Sequence, residues 1–299
     1  RKKNTDFIKL CLNPGLAAEI TLQPLKRFNL DAAIIFSDIL MIPYGFGQSV
    51  TFNKGLGPEL GIIDKNNLAN INEEDFKKKL SPIYKSIKIT SENEILKNKD
   101  LIGFVGAPWT LLVYIINRSS PKKNIKKNFF NDQSLIEELL KLLVKYVKIH
   151  VLNQIKSGAT IIQIFDSWAG LLEEKDLEKY IYTPTKEITD FIRTLNIPSI
   201  CFPRNIKNYK KFVTIVNPDV ISIDYNVNPE KILDEIDIPV QGGLNPQKLL
   251  DDKATLKQEV KKYLKVFKNH PYIFNLGHGV LPETNPNMVE YLIKFIKDN

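Results

Sequence analysis

Seven short apolar runs, spaced along the chain with amphipathic segments between them, constrain the fold more than any other feature. They are AAIIF (32–36), LIGFV (101–105), ATIIQIF (159–165), PSICF (198–202), DVISI (219–223), IPVQ (238–241) and PYIFNL (271–276). They are continuous rather than alternating, so each reads as a strand buried on both faces, the pattern of a parallel sheet covered by helices. Helical periodicity fills the intervals: 135–156, with apolar residues at three- and four-residue spacing and Ser157-Gly158 closing it, then 173–195, 229–236, 246–267 and 286–297.

Seven parallel strands suit either an open doubly wound sheet or a (β/α)8 TIM barrel with one strand to find. The ends of the runs favour the barrel. Most hand over to Gly, Pro or a polar group: Ser37-Asp38, GAPWT, DSWAG, PRN, DYN, GG and GHG. In a barrel such loops converge on one face and build a single site. The rival, a phosphate-cradling loop, has no GxGxxG or GxxxxGK[ST] behind it. A length of 299 residues fits one α/β barrel, and no internal repeat or low-complexity linker divides it. A single barrel domain over 1–299 is therefore expected, with the Lys/Asn-rich stretch 117–128 as a surface excursion.

Composition excludes more than it selects. The longest apolar run, Leu101 to Ile116, falls short of the roughly 20 residues of a membrane span and contains Pro108. No signal peptide is evident, and the chain opens on Arg1. Cys11 and Cys201 are too few for a disulfide framework, so a reducing cytoplasm is expected, with Cys201 in its apolar strand a buried free thiol. The formal charge is +8, but Lys2-Lys3, Lys77 to Lys79, Lys122-Lys123 and Lys126-Lys127 are scattered, with no aromatic platform among them. That argues for solvated surface rather than nucleic-acid binding, while favouring a small polyanionic ligand.

Four stretches carry chemistry. DAAIIFSDIL brings Asp38 to the end of a strand built for a dry core. There an ionised carboxylate can accept N–H donors or stabilise positive charge; as a plain alternative it caps a helix or pairs with an arginine. In GAPWTLLVYI, Gly106 and Ala107 let a ligand approach the backbone, Pro108 fits a first helical turn, and Tyr114 can tip a phenol into the cavity or sit in the core. FDSWAG offers Ser167 as a hydrogen-bond donor, without the GxSxG setting of a nucleophile. NLGHGVLP places His278 between glycines, the best of three histidines for ligand contact, since His150 lies in a helix and His270 precedes Pro271. No His or Cys pair stands at metal-ligand spacing.

TLQPLKRFNLDAAIIFSDIL, GAPWT, FDSWAG, QGGLNP and YIFNLGHGVLPETNP, in that order from about Glu19 onward, resemble the uroporphyrinogen decarboxylase family. QGGLNP varies the family's QGNLDP-like block. The resemblance implies a (β/α)8 barrel, a cytoplasmic homodimer, and removal of carbon dioxide from the four acetate arms of uroporphyrinogen III in haem biosynthesis, giving coproporphyrinogen III, with no metal or organic cofactor. It assigns Asp38 to the pyrrole N–H groups and to the protonated-pyrrole intermediate. Tyr114, Ser167 and His278 match positions that contact the substrate, with Tyr114 also placed in proton transfer. The family carries an arginine-bearing block resembling RQAGRYLPEY after its first strand; this chain holds neither, so the first strand is expected upstream of residue 1. Arg204 in the PRN loop is left with two readings, a carboxylate contact at the mouth or a surface residue. The alternatives to an enzyme of this family are a non-catalytic tetrapyrrole-binding barrel and a zinc-dependent methyltransferase of a related barrel, which would need a His/Cys/Cys set.

Overall fold

The computed structural model describes residues 6–53, 57–63, 68–121, 124–125 and 129–299. All seven expected runs form strands of one parallel sheet: β1 (Ala32–Ile34), β4 (Asp100–Gly106), β5 (Ile161–Asp166), β6 (Ser199–Pro203), β7 (Val220–Ile223), β8 (Val240–Gly242) and β9 (Tyr272–Ile273). Their order in the sheet is their order in the chain, each strand parallel to the next. Two further strands, β2 (Val50–Asn53) and β3 (Gly57–Leu60), make a separate antiparallel hairpin in the loop after β1, which the apolar-run pattern does not single out.

The sheet curls. Gln241 on β8 donates through Nε2 to Gln163 Oε1 on β5 (3.5 Å) and to Ser222 Oγ on β7 (3.3 Å), and all three side chains are buried. In a flat sheet β5 and β8 would stand roughly 14 Å apart at ~4.8 Å per strand, so this contact crosses the interior of a barrel. Outside, Ile162, Ile164, Cys201, Ile221 and Val240 are buried as well. Burial on both faces explains why the strand sequences do not alternate.

The two edge strands of the described sheet are β1 and β9. Each shows a large apolar side chain to solvent: Ile34, 46% exposed, and Ile273, 42% exposed. On the outside, the first and last helices meet across this seam. Arg27 at the end of α2 (Pro14–Arg27) donates to Asn287 Oδ1 (3.1 Å) on α12 (Pro286–Lys297), and Lys297 pairs with Asp31 (2.6 Å).

Several helices begin where Asn or Asp stands. Asn72 caps α4 (Glu73–Ser91), Asp132 caps α6 (Gln133–Lys156), Asn208 caps α9 (Tyr209–Val216) and Asp252 caps α11 (Lys253–Val266), each side chain accepting a backbone N–H of the first turn. α6 buries Ile136, Leu139, Leu140, Leu143, Val147 and Val151, the spacing its sequence shows. Two expected helices are interrupted. The 173–195 segment divides into α7 (Glu174–Leu177), a π turn (Glu178–Tyr182) and α8 (Thr183–Thr194). The 246–267 segment starts as a 3-10 turn, Pro246–Leu249, and resumes only at the Asp252 cap. The helices α1 (Phe7–Cys11), α2, α4 and α9, and α10 (Pro229–Glu235) over the expected 229–236, complete the ring. Of the 117–128 excursion, residues 122–123 and 126–128 lie outside the described residues, as do Lys2 and Lys3.

Candidate active site

The side chains singled out in the sequence all follow strand C-termini, the end where a barrel gathers its loops. At the first strand, Thr21 Oγ1 accepts the Phe36 N–H (2.9 Å), ending the extended chain, and Asp38 then turns it into the short helix α3 (Met41–Gly45). Asp38 Oδ1 accepts the Leu40 N–H at 2.8 Å, so one oxygen does serve a turn. No ion pair takes Asp38 among the described residues, which leaves its charge available. Burial lifts its pKa to about 6 against the opposing pull of the Leu40 hydrogen bond. The neighbouring Ser37 Oγ is buried without a partner.

Pro108 does open the first turn of α5 (Pro108–Asn117). Tyr114 on that helix is half-buried, and its ring meets Trp168 edge-on (6.0 Å between centroids, 65°). Burial raises the Tyr114 pKa, and the Asp38 charge pushes it further the same way. Asp38 and Tyr114 therefore share one electrostatic neighbourhood. Trp109 is fully buried at the start of the same helix, and its indole N–H donates to the Trp168 carbonyl (2.9 Å).

The DSWAG turn is pinned to α5 by Thr110. Its hydroxyl donates to Asp166 Oδ1 (2.6 Å) and accepts the Trp168 N–H (3.1 Å). Asp166 is buried, its Oδ2 has no partner, and burial raises its pKa to about 7 despite the Thr110 bond. Nothing in the sequence marks this acid except its place, the last residue of β5. Ser167, the residue assigned to the substrate, is the next one along and is half-buried.

His278 reaches the mouth because β8 ends on two glycines. Gly242 and Gly243 adopt φ of 89° and 98°, a region L side chains avoid. A Cβ on Gly242 would stand 2.8 Å from the Ile223 carbonyl and 3.3 Å from that of Leu276. Pairing then resumes, the Gly277 N–H donating to Leu244 O at 2.7 Å. The expected 271–276 strand is thereby cut to two residues plus a bridge at Leu276. Gly277 packs so tightly on the end of β7 that a Cβ would lie 2.4 Å from Tyr225 N and 2.8 Å from the Asp224 carbonyl carbon. His278 is exposed, and its pKa is lowered by partial desolvation and by Arg204, with Asp224 pulling the other way. Asp224 itself is buried, its oxygens accepting the N–H groups of Asn226 (2.7 Å) and Asn205 (3.1 Å). Electrostatics thus links Asp38 with Tyr114, and His278 with Arg204 and Asp224, while Asp166 and Ser167 lie in the DSWAG turn after β5.

Among the described residues no three His, Cys, Asp or Glu side chains are grouped to hold a metal ion. Cys11 and Cys201 are both buried, and burial pushes each thiol up, Cys11 to about 12. The His/Cys/Cys set of a zinc methyltransferase is therefore not assembled. No helix among the described residues is long and apolar enough to cross a membrane.

Fold and site together define a parallel α/β-barrel enzyme whose reactive groups gather where the strands end. A family model described as uroporphyrinogen decarboxylase matches residues 1–299, and the chain belongs to that family. It is 40% identical over 304 residues to the uroporphyrinogen decarboxylase of Rickettsia bellii, across 100% of this chain and 89% of that one. To the uroporphyrinogen decarboxylase of Orientia tsutsugamushi it is 40% identical over 308 residues, again covering 100% and 89%. Among solved structures, a methyltransferase from Methanosarcina mazei superposes with a TM-score of 0.79 over 96% of this chain and 86% of that one, at 17% identity. At that identity the likeness is one of fold.

Proposed function

We propose that this chain removes carbon dioxide from the four acetate side chains of uroporphyrinogen III, leaving methyl groups and forming coproporphyrinogen III. The observation that carries the reading is Asp38: one carboxylate, unpaired with any cation among the described residues, delivered by β1 to the barrel mouth, in a chain of this family. Loss of carbon dioxide from an acetate arm leaves an electron pair that needs a sink. Protonating a carbon of the attached pyrrole makes the ring that sink; a proton then goes to the exocyclic carbon as the ring proton leaves, so each arm takes up one proton net. An anion facing the pyrrole N–H groups stabilises the cationic ring, more strongly where water is excluded.

In this reading Asp38 holds the N–H groups, Tyr114 holds the substrate and shares in moving protons, and Ser167 and His278 bind its carboxylate arms. Neither metal nor organic cofactor takes part. The net positive charge of the chain favours encounter with a polyanion. The same reading makes the protein a cytoplasmic homodimer with a single barrel domain.

The test is incubation with anaerobically reduced uroporphyrinogen III, the products oxidised and separated by carboxylate number, beside Asp38→Asn. Stepwise loss of four carboxylates, abolished in the variant, is expected. Binding of the tetrapyrrole without carboxylate loss would overturn the enzymatic reading in favour of a binding barrel.

A further inference from the structure

Four arginines lie among the described residues, and three have a bonded guanidinium. Arg27 donates to Asn287 Oδ1, Arg118 Nε to the Leu60 carbonyl (3.0 Å), and Arg193 to Asp190 (2.8 Å). Among the described residues Arg204 has no hydrogen bond from its guanidinium and no ion pair, yet its Nε is fully buried. Arg204 is half-buried, and its Nε–H is the part shut away from water with no acceptor, a donor that has lost its hydration and gained nothing in exchange.

Its position is not accidental slack. Arg204 follows directly on β6, its N–H donating to the Asp166 carbonyl (3.1 Å) and its carbonyl accepting from Gly170 (3.0 Å). A Cβ on Gly170 would lie 2.7 Å from the Asn205 carbonyl, so the two loops are locked together. Neither nearby acid pairs with it among the described residues, although Asp166 Oδ2 is itself without a partner. Asp166 Oδ1 takes the Thr110 hydroxyl, and each Asp224 oxygen already accepts a backbone N–H. The charge of Arg204 acts on His278, the residue expected to touch substrate.

We infer that Arg204 is the anchor for one side-chain carboxylate of the tetrapyrrole, its guanidinium taking the carboxylate that the fold withholds from it. The inference rests on the substrate proposed above and adds a specific anion subsite on the β6 side of the mouth. Guanidinium presents a planar fork that matches two carboxylate oxygens at once, which lysine cannot do. Bound to an arm that does not react, such a contact contributes alike to ground and transition states and appears in KM rather than kcat.

Arg204→Gln and Arg204→Lys separate the possibilities. For Arg204→Gln the KM for uroporphyrinogen III is expected to rise about tenfold or more, the usual loss for a hydrogen bond to a charged group, with kcat within about threefold of the parent. Arg204→Lys should fall between, and titration with oxidised uroporphyrin, followed by fluorescence, should show the same order of Kd values. Unchanged KM and Kd in the Gln variant would overturn the subsite, as would a fall in kcat alone. If the parent protein binds uroporphyrin but turns nothing over, the enzymatic reading fails while the Kd series still decides Arg204.

Discussion

A carboxylate held at the barrel mouth for charge stabilisation costs the fold something, and Asp38→Asn measures how much. Burial moves Asp38 from an ordinary 3.8 to about 6. At about 1.4 kcal/mol per pKa unit, the ionised group destabilises the folded state by roughly 3 kcal/mol at pH 8. The sign follows from the direction of the shift: a raised carboxyl pKa means the folded state holds its proton longer than the unfolded one. The penalty is therefore absent below the unfolded pKa, grows as pH rises from there through about 6, and is constant above. At pH 5 the same two pKa values leave a penalty of roughly 1.6 kcal/mol, so about 1.4 kcal/mol of it should appear between pH 5 and pH 8. Asparagine has the shape of aspartate and keeps an oxygen for the Leu40 N–H, but carries no charge. The variant should therefore be inactive and more stable than the parent at pH 8, by up to roughly 3 kcal/mol, with the advantage shrinking by about 1.4 kcal/mol at pH 5. Urea unfolding of both proteins at the two pH values reads this directly. An Asp38→Asn protein less stable than the parent at pH 8, or an advantage that does not change with pH, would refute the account of Asp38 as a desolvated, uncompensated anion.

Other outcomes are set by the same geometry. Since Asp38 must be ionised to face a cationic ring, kcat/KM should fall as pH drops through about 6; a rate that stays level to pH 5 would count against its role. Thr110→Val keeps the β-branched shape but removes the donor to Asp166, and should cost about 1–3 kcal/mol in urea unfolding at pH 8 while raising the Asp166 pKa further above about 7. Gly277→Ala puts a Cβ against Tyr225 N, so it should destabilise by about 1–3 kcal/mol and raise KM as the His278 loop lifts. Tyr114→Phe should leave stability within about 1 kcal/mol and lower kcat by about tenfold or more if the phenol helps move protons.

Features set by contacts near in the chain can be read directly from the residues. Continuous apolar runs specify strands that must be covered on both faces, and Asn72, Asp132 and Asp252 fix where helices begin, since a cap bonds within its own first turn. The places of Asp38, Ser167 and His278 after strand ends were legible, but their roles, and that of Tyr114, come from the family resemblance. The tertiary structure decided what depends on residues far apart. That Gln163 and Gln241 meet, 78 positions apart, is a property of the curl. The β2–β3 hairpin and the interrupted 173–195 helix follow from packing rather than period. Asp166 and Arg204 gain their meaning only from burial: the first is an acid shifted to about 7, the second a guanidinium with an orphaned Nε, and neither condition is written in the residues beside it. Desolvation depends on every neighbour at once, and those neighbours are chosen by the fold.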